Sequence, residues 1–287
     1  RPSLPKGWTS STRHGSTDAR ARAQHLVRRA LPGMKGRDAV KTIFDLGMHH
    51  GHDTRFYLDK GFRVIALEAN PELVARGEAT FASEIAEGRL VIVPCALWHL
   101  AGETLSFYVN RDYDEWSSII RDWAEKGGHA TEEIGVATTT MAELFDTYGT
   151  PYYVKCDIEG ADEIMIRQIL EDRRRPAFVS VEAMSVEILG FMLGAGYDRF
   201  QIVNQALLGY AQIPDPAREG RRVDVTFTGT MTGLFGHELP RERWIGFTRA
   251  TENYLKFMEL RERDPTLAHG WLDFHFTTRE ELESGPG

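Results

Sequence analysis

The stretch Lys41-Thr42-Ile43-Phe44-Asp45-Leu46-Gly47-Met48-His49-His50-Gly51 decides the fold of this chain. Its apolar residues lead directly into Gly47, which predicts a buried strand that ends in a glycine turn. A second apolar run, 63–67, ends at Glu68, which lies 21 residues after Gly47. A strand, a glycine turn, a helix and a second strand with a terminal acid are the parts of a site for a nucleotide-type cofactor. Glu68 can accept hydrogen bonds from both hydroxyls of a ribose.

The spacing of the glycines bears on which cofactor binds. A pyrophosphate cradle usually has the pattern Gly-x-Gly-x-x-Gly, whereas this turn has only Gly47 and Gly51. Asp45 adds a negative charge at the end of the strand, which would repel a pyrophosphate. A cofactor with a ribose, an adenine and a cationic sulfonium suits such an acidic pocket better. We therefore expect S-adenosylmethionine to be the cofactor.

Composition excludes several classes of protein. The chain has 287 residues, of which 42% are apolar and 26% charged, as is typical of soluble globular proteins. No apolar run approaches the roughly 18 residues that span a bilayer, and no secretory signal is visible. Cys95 and Cys156 fall in predicted strands, which favours buried free thiols over a disulfide. We expect a cytoplasmic protein without a membrane partner.

Charge is distributed unevenly along the chain. Residues 1–41 hold ten Lys or Arg and two acids, so of the total net charge of −8 the remainder carries −16. A basic arm on an acidic body could contact nucleic acid. Because the arm lacks the interleaved aromatic residues that stack on bases, we favour docking of the arm on its own acidic body. The sequence leaves open whether the chain forms a homo-oligomer.

Strand and helix patterns alternate along the rest of the chain. Strands are predicted at 42–46, 63–68, 90–97, 103–109, 151–157, 178–182, 200–203, 223–229 and 271–276. The alternation predicts an α/β fold with a doubly wound, Rossmann-like parallel sheet. We expect a basic arm with one helix at residues 1–40 and a single domain at 41–287. Irregular insertions at about 110–133 and 205–250 are expected to lie over the substrate site.

The exit of the strand at 151–157 carries three charged residues, Lys155, Asp157 and Glu159. Charged side chains are costly to bury, so they belong at the carboxyl edge of the sheet, where open α/β folds bind ligands. Asp162 suits the start of the next helix. Asp157 and Glu159 are therefore predicted to flank the cleft.

With these motifs the chain resembles the FkbM-type methyltransferases, a branch of the class I S-adenosylmethionine-dependent methyltransferases. The resemblance covers about residues 41–205 and rests on the segments 45–47 with Gly51, 64–71, 94–97, 138–144 and 155–163. It implies a seven-stranded sheet, mostly parallel, whose last strand is antiparallel. His49 and His50 are more polar than is usual in the first turn, and residues 205–287 align poorly with the family. The methyl acceptor therefore stays open.

The resemblance also implies roles for individual residues. It assigns a series of residues to the cofactor: Asp45, Gly47 and Gly51 at the methionine, Glu68 at the ribose, Asn70 in the adenosine pocket, and Cys95 and Ala96 at the adenine edge. It places Asp157 and Glu159 where the methyl group meets the acceptor, with Asp157 also touching the cofactor.

We expect the acceptor to be a hydroxyl on a small molecule or a sugar. A hydroxyl needs a general base because its own pKa lies far above neutrality. The candidate bases are Glu159, Asp157, His49 and His50, with His52 nearby in the same turn. Glu159 or a neighbouring histidine is the first choice.

The residues alone leave alternatives open. An NAD(P)-dependent oxidoreductase would share the architecture, although the third glycine is missing. In a non-catalytic binding module, the second alternative, Asp157 and Glu159 would have no role that explains their position in a cleft. We predict no catalytic metal, because adjacent histidines in a turn are expected to diverge and no ligand set of matched spacing is present. The alternative is Mg²⁺ held by Asp157 and Glu182.

Overall fold

The structure, a computed structural model, describes residues 40–285. Apart from Val40, the predicted basic arm lies outside the described residues. Ten strands occur in this range: β1 (Thr42–Leu46), β2 (Arg63–Leu67), β3 (Leu90–Val93), β4 (Ala96–Leu97), β5 (Thr104–Asn110), β6 (Thr131–Thr139), β7 (Tyr153–Cys156), β8 (Phe178–Glu182), β9 (Arg199–Asn204) and β10 (Leu272–Thr277).

Helices connect the strands. Between residues 40 and 285 the α-helices are α1 (His52–Asp59), α2 (Pro71–Thr80), α3 (Ala82–Ala86), α4 (Arg121–Ala124), α5 (Met141–Tyr148), α6 (Asp162–Glu171), α7 (Glu187–Gly194), α8 (Phe247–Arg263) and α9 (Arg279–Ser284). Short 3₁₀ turns add Asp114–Trp116, Lys126–Gly128, Gln205–Tyr210, Gly236–Glu238 and Arg241–Arg243. No helix in the described part of the chain is both long and apolar enough to cross a bilayer.

The main sheet has seven strands in the order β3-β2-β1-β7-β8-β10-β9. All pairings among β3, β2, β1, β7 and β8 are parallel, whereas β10 runs antiparallel to both of its neighbours. The last strand of the chain is thus the antiparallel one, inserted between β8 and β9. The predicted α/β, Rossmann-like fold with a mostly parallel seven-stranded sheet is confirmed. The carboxyl ends of five parallel strands meet at one edge, where such folds bind ligands.

Alternate residues of the central strands fill two cores, one on each face of the sheet. Phe44 and Val154 belong to one core, which α5, α6, α7 and α8 cover. Ile43 and Tyr153 belong to the other, which α1 and the segment 227–239 cover. Phe235 stacks on Tyr153 with ring centroids 4.8 Å apart. Because both faces are buried, a charged residue within a strand needs a partner, as Asp45 has in Lys155, and unpaired charges are expected where the strands end.

Three local predictions are wrong. Residues 90–97, predicted as one strand, form two strands, β3 and β4, which belong to different sheets. Residues 131–133, assigned to an irregular insertion, begin β6, which pairs antiparallel with β5 and parallel with β4 in a second, three-stranded sheet. The start of β6, Thr-Glu-Glu, is polar because one face of this small sheet is exposed, so its apolar signal is weak. Residues 223–229, predicted as a strand, form no regular element and instead pack as loop against α1.

Candidate active site

A cleft of about 610 Å³ opens at the carboxyl edge of the parallel strands. Its walls come from the turn after β1, from the exits of β2, β3, β7 and β8, and from the start of β10. Residues from 114–126 and 229–232, which belong to the connecting segments, complete it. The cleft therefore joins the two sequence motifs at Gly47 and at Asp157 into one site.

The turn after β1 requires glycine at position 47. Gly47 has φ +84°, and the N–H groups of Gly47 and Met48 both donate to the Leu67 carbonyl at 3.0 Å. A Cβ on residue 47 would overlap the backbone carbonyl oxygen of Asp157. This glycine therefore allows the exits of β1, β2 and β7 to meet at the floor of the cleft.

Glu68 lies in the wall of the cleft and is 7% exposed. Each of its carboxylate oxygens accepts one backbone hydrogen bond, from the His49 N–H at 2.8 Å and from the Asn70 N–H at 2.8 Å. Burial raises the pKa of Glu68, and these hydrogen bonds oppose the shift by favouring the carboxylate. Each oxygen keeps a lone pair for a ligand in the cleft.

Asp45 lies behind the cleft and does not line it. It is fully buried, accepts a hydrogen bond from the Thr54 hydroxyl at 2.6 Å, and pairs with the Lys155 ammonium at 3.3 Å. Lys155 also donates to the Gly47 carbonyl at 2.8 Å. Burial disfavours the charge of Lys155, but the carboxylates of Asp45, Asp157 and Asp53 outweigh it and raise its pKa. The Asp45–Lys155 pair thus fixes the glycine turn from below.

Two of the other residues expected at the cofactor have different surroundings from those predicted. Gly51 is the N-cap residue of α1, and a Cβ there would overlap the Phe81 ring. The lack of a side chain at this position therefore allows Phe81 to pack against the turn. Asn70 caps α2 by accepting the Glu72 N–H at 3.0 Å. Neither residue lines the cleft, whereas the expected adenine-edge residues Cys95 and Ala96 do. Both cysteines are buried and free, as predicted.

Glu159 lies at the exit of β7 beside Asp157, and both line the cleft. Its backbone is left-handed, with φ +49°, a conformation that costs energy in residues other than glycine. Its carboxylate accepts the Trp123 indole N–H at 2.6 Å and the Lys126 ammonium at 3.4 Å. Burial and then the charge of Asp157 raise the pKa of Glu159 to about 7. A carboxyl with this pKa can exchange a proton near neutrality.

A family model described as "Methyltransferase FkbM domain" matches residues 45–210, which is more than half of the chain.

The chain belongs to the FkbM methyltransferase family.

As predicted, it is an S-adenosylmethionine-dependent methyltransferase. No curated protein matches this FkbM methyltransferase in sequence.

Solved structures of other methyltransferases show only distant similarity. The precorrin-6y C5,15-methyltransferase of Geobacter metallireducens GS-15 is 13% identical with a TM-score of 0.34, over 69% of this chain and 81% of that one. Two structures of Haemonchus contortus phosphoethanolamine N-methyltransferase 2 are 11% and 10% identical, with TM-scores of 0.36 and 0.34. Each match covers 90% of this chain but only 52% of the Haemonchus enzyme. Similarity this distant carries no argument about the acceptor.

The charges of the cleft suit the cofactor of an FkbM methyltransferase. Eight of its lining residues are acids and two are lysines. Both lysines are engaged by carboxylates, Lys155 by Asp45 and Lys126 by Glu159. A sulfonium cation would therefore favour the ionised form of the nearby acids, and Glu68 presents hydrogen-bond acceptors at the exit of β2.

His49 and His50 converge instead of diverging, which corrects the expectation for this turn. Their rings lie 4.0 Å apart, and the Nε2 atoms contact the two Asp114 oxygens at 2.9 and 3.1 Å. The cause is the left-handed φ of His49, +51°. In the described part of the chain, this trio is the one group of three His, Cys, Asp or Glu residues whose ligand atoms lie close enough together for a metal ion. Arg76 donates to His50 Nδ1 at 2.9 Å, which leaves the proton of a neutral His50 on Nε2, facing Asp114.

Several acids that line the cleft of this FkbM methyltransferase were not predicted from the sequence to be site residues. Asp53 and Asp273 were not singled out, and Glu182 was considered only as a metal ligand. Burial, followed by the charge of Asp157, raises the pKa of Glu182 to about 8 and that of Asp273 well above its ordinary value. Glu182 could have been found from the same signal as Asp157, since both are acids that close an apolar strand. Asp273 could not, because its neighbours depend on where β10 inserts.

Proposed function

We propose that this FkbM methyltransferase transfers the methyl group to a hydroxyl of a small molecule or sugar. The observation that carries the proposal is the Glu159 carboxyl, which lies in the cleft with a pKa of about 7. A hydroxyl must lose its proton as its oxygen attacks, and a base that titrates near neutrality is suited to take it. The connecting segments 114–126 and 229–232 then lie over the acceptor.

We place the cofactor at the β1–β2–β3 end of the cleft. Gly47 gives access to the backbone, Glu68 accepts the ribose hydroxyls, and Cys95 with Ala96 borders the adenine. When bound there, S-adenosylmethionine supplies a methyl group on a sulfonium that leaves as a neutral thioether. Asp45, Gly51 and Asn70 support this end from behind, through Lys155, Phe81 and the cap of α2.

Replacement of Glu68 by Ala is expected to weaken binding of S-adenosylhomocysteine by about 1.5–3 kcal/mol, because charge-assisted hydrogen bonds are lost. The same change frees the backbone N–H groups of His49 and Asn70. Glu68→Gln keeps one acceptor oxygen and should lose less. Isothermal titration calorimetry with the wild type, Glu68→Gln and Glu68→Ala checks that affinity for S-adenosylhomocysteine falls in that order. Equal affinities would place the ribose elsewhere.

Glu159 is proposed as the general base. Trp123 and Lys126 orient its carboxylate, and burial together with the charge of Asp157 raises its pKa and thereby its basicity. The acceptor proton passes to the Glu159 carboxylate as the acceptor oxygen bonds to the methyl carbon. Much of the acceleration comes from holding the acceptor close and in line with the leaving sulfur. His49 and His50 are the alternative bases, but the Nε2 atoms of both face Asp114.

This assignment predicts the pH dependence of methyl transfer. The pKa of Glu159 is raised to about 7, so the carboxylate form needed for catalysis is depleted below that pH. The ratio kcat/KM should rise about tenfold per pH unit below 7 and level off above it. The midpoint in kcat should be lower, because the bound sulfonium favours the carboxylate. A flat profile between pH 5.5 and 8.5 would remove Glu159 from this role.

A further inference from the structure

The far end of the cleft contains polar groups that the proposed catalysis does not use. Glu182 ends β8, Asp273 lies opposite it on β10, and Gln205 follows β9. The strand order places all three beyond β7, on the side away from Glu68 and β2. All three line the cleft. This end is therefore where an acceptor lies, next to Asp157 and Glu159.

The side chains of these three residues have no hydrogen-bond or ion-pair partner among residues 40–285. Asp273 is only 8% exposed, and its carboxylate makes no hydrogen bond or ion pair with any residue from 40 to 285. The same holds for the Glu182 carboxylate. Gln205 is 3% exposed, and neither its amide oxygen nor its amide nitrogen has a hydrogen-bond partner. Buried polar groups are normally paired, so unpaired ones in a cleft wall indicate a ligand that pairs with them.

Charge and spacing indicate the chemistry of a ligand that would suit this end of the cleft. Asp157, Glu159, Glu182 and Asp273 surround this end of the cleft. The two lysines near them are already engaged, Lys126 by Glu159 and Lys155 by Asp45 and Asp157. An anionic acceptor, such as a phosphate or carboxylate, would find no unengaged lysine here and would oppose ionisation of these acids, whereas a cation would favour it. No three of these carboxylates converge as a metal site does, since among residues 40–285 the one such group of three is His49, His50 and Asp114. A larger, organic cation with several N–H donors fits better.

We propose that the acceptor carries a protonated amine, which Asp273 and Glu182 bind with the Gln205 amide oxygen beside them. This inference rests on the proposed O-methylation and names its substrate class: an amino alcohol or amino sugar. An ammonium group has three N–H donors and no lone pair. It can therefore pair with two carboxylates and an amide, and it cannot attack the methyl group. The neighbouring hydroxyl, within reach of Glu159, is left as the nucleophile.

Two probes test the binding site directly, cyclohexylammonium and cyclohexanol, which share a ring and differ in charge. Each is titrated into the enzyme saturated with S-adenosylhomocysteine and followed by ligand-detected NMR. We expect the ammonium compound to bind at least about tenfold more tightly. Asp273→Asn should abolish most of this preference while leaving the affinity for S-adenosylhomocysteine unchanged. Asp146→Asn, an exposed acid on α5 outside the cleft, should preserve it. Glu182→Gln is the second variant, should Asp273→Asn fail to fold.

Equal binding of the two probes, including failure of both to bind, would overturn the amine site. So would an Asp273→Asn protein that binds S-adenosylhomocysteine more weakly, since Asp273 would then belong to the cofactor end.

A second experiment separates this inference from O-methylation itself. Labelled S-adenosylmethionine is incubated with trans-2-aminocyclohexanol and with its N-acetyl derivative, and the methylated atom is located by NMR. Methylation of oxygen in the free amine only supports both proposals. Equal methylation of oxygen in both compounds overturns the amine site and leaves O-methylation intact. Methylation of nitrogen overturns both, because a nitrogen held as ammonium cannot react.

Discussion

Glu159→Gln is expected to lower the rate of methyl transfer by about 10²–10⁴-fold while the affinity for S-adenosylhomocysteine changes little. Glutamine keeps the size of the side chain, and its amide oxygen can still accept hydrogen bonds from Trp123 and Lys126. The substitution therefore removes the charge and the basicity and retains the local geometry. Single-turnover kinetics with saturating cofactor measure the chemical step.

Three variants make this test specific. Glu163→Gln changes an exposed glutamate on α6 that pairs with Arg167, and its rate should match the wild type. His49→Ala and His50→Ala remove the alternative bases. A normal rate in Glu159→Gln with a collapse in one histidine variant would transfer the base to the first turn. Normal rates in all of them would mean that positioning alone drives the transfer.

Gly47→Ala is expected to weaken binding of S-adenosylhomocysteine by about 10²–10³-fold. The left-handed φ of residue 47 costs roughly 1–2 kcal/mol with a Cβ present, and forcing an extra carbon into a packed site adds about 1–3 kcal/mol. The Cβ would overlap the backbone carbonyl of Asp157, which no side-chain rotation can relieve. The exits of β1 and β7 must then move apart, and the floor of the cofactor end is lost.

A second glycine with a similar φ separates the effect of backbone strain from that of the overlap with Asp157. Gly102 has φ +77°, close to that of Gly47, but a Cβ there would meet nothing within 4 Å. Gly102→Ala should lose a little thermal stability and keep full cofactor affinity, as measured by calorimetry and thermal unfolding. Equal loss of affinity in both variants would show that backbone strain acts globally, and Gly47 would have no special place in the site.

The parts of the fold that the sequence predicted are those with strong local signals. β1, β2, β7 and β8 are mostly apolar runs buried on both faces, which makes them recognisable in the sequence, and the acids at the ends of β2, β7 and β8 mark one edge of the sheet. β6 begins with polar residues over an exposed face, and the loop at 223–229 alternates like a strand without pairing. Their structures are set by tertiary contacts that no local pattern records.

The residues of the candidate site were likewise predicted only where a local sequence pattern marks them. Gly47, Glu68, Asp157 and Glu159 were predicted from their positions at strand exits, and all four line the cleft. Asp45 belongs to the same motif, yet its side chain lies behind the cleft because Lys155 from a neighbouring strand binds it. The position of a residue in the motif predicts that it lies at the ligand-binding edge of the sheet. The direction of its side chain depends on the residue that binds it, which the motif does not contain. The unpaired Asp273 and Gln205 come together only because β10 inserts beside β8 and β9.

A crystal structure with bound S-adenosylhomocysteine tests most directly the central claim, that one cleft binds the cofactor at Glu68 and the acceptor at Glu159. We predict that both ribose hydroxyls lie within hydrogen-bonding distance of the Glu68 carboxylate. We also predict that the sulfur points toward the space between Asp157 and Glu159, with Glu182 and Asp273 free of contact with the cofactor. A ribose placed away from Glu68, or a sulfur that faces away from Glu159, would contradict the account.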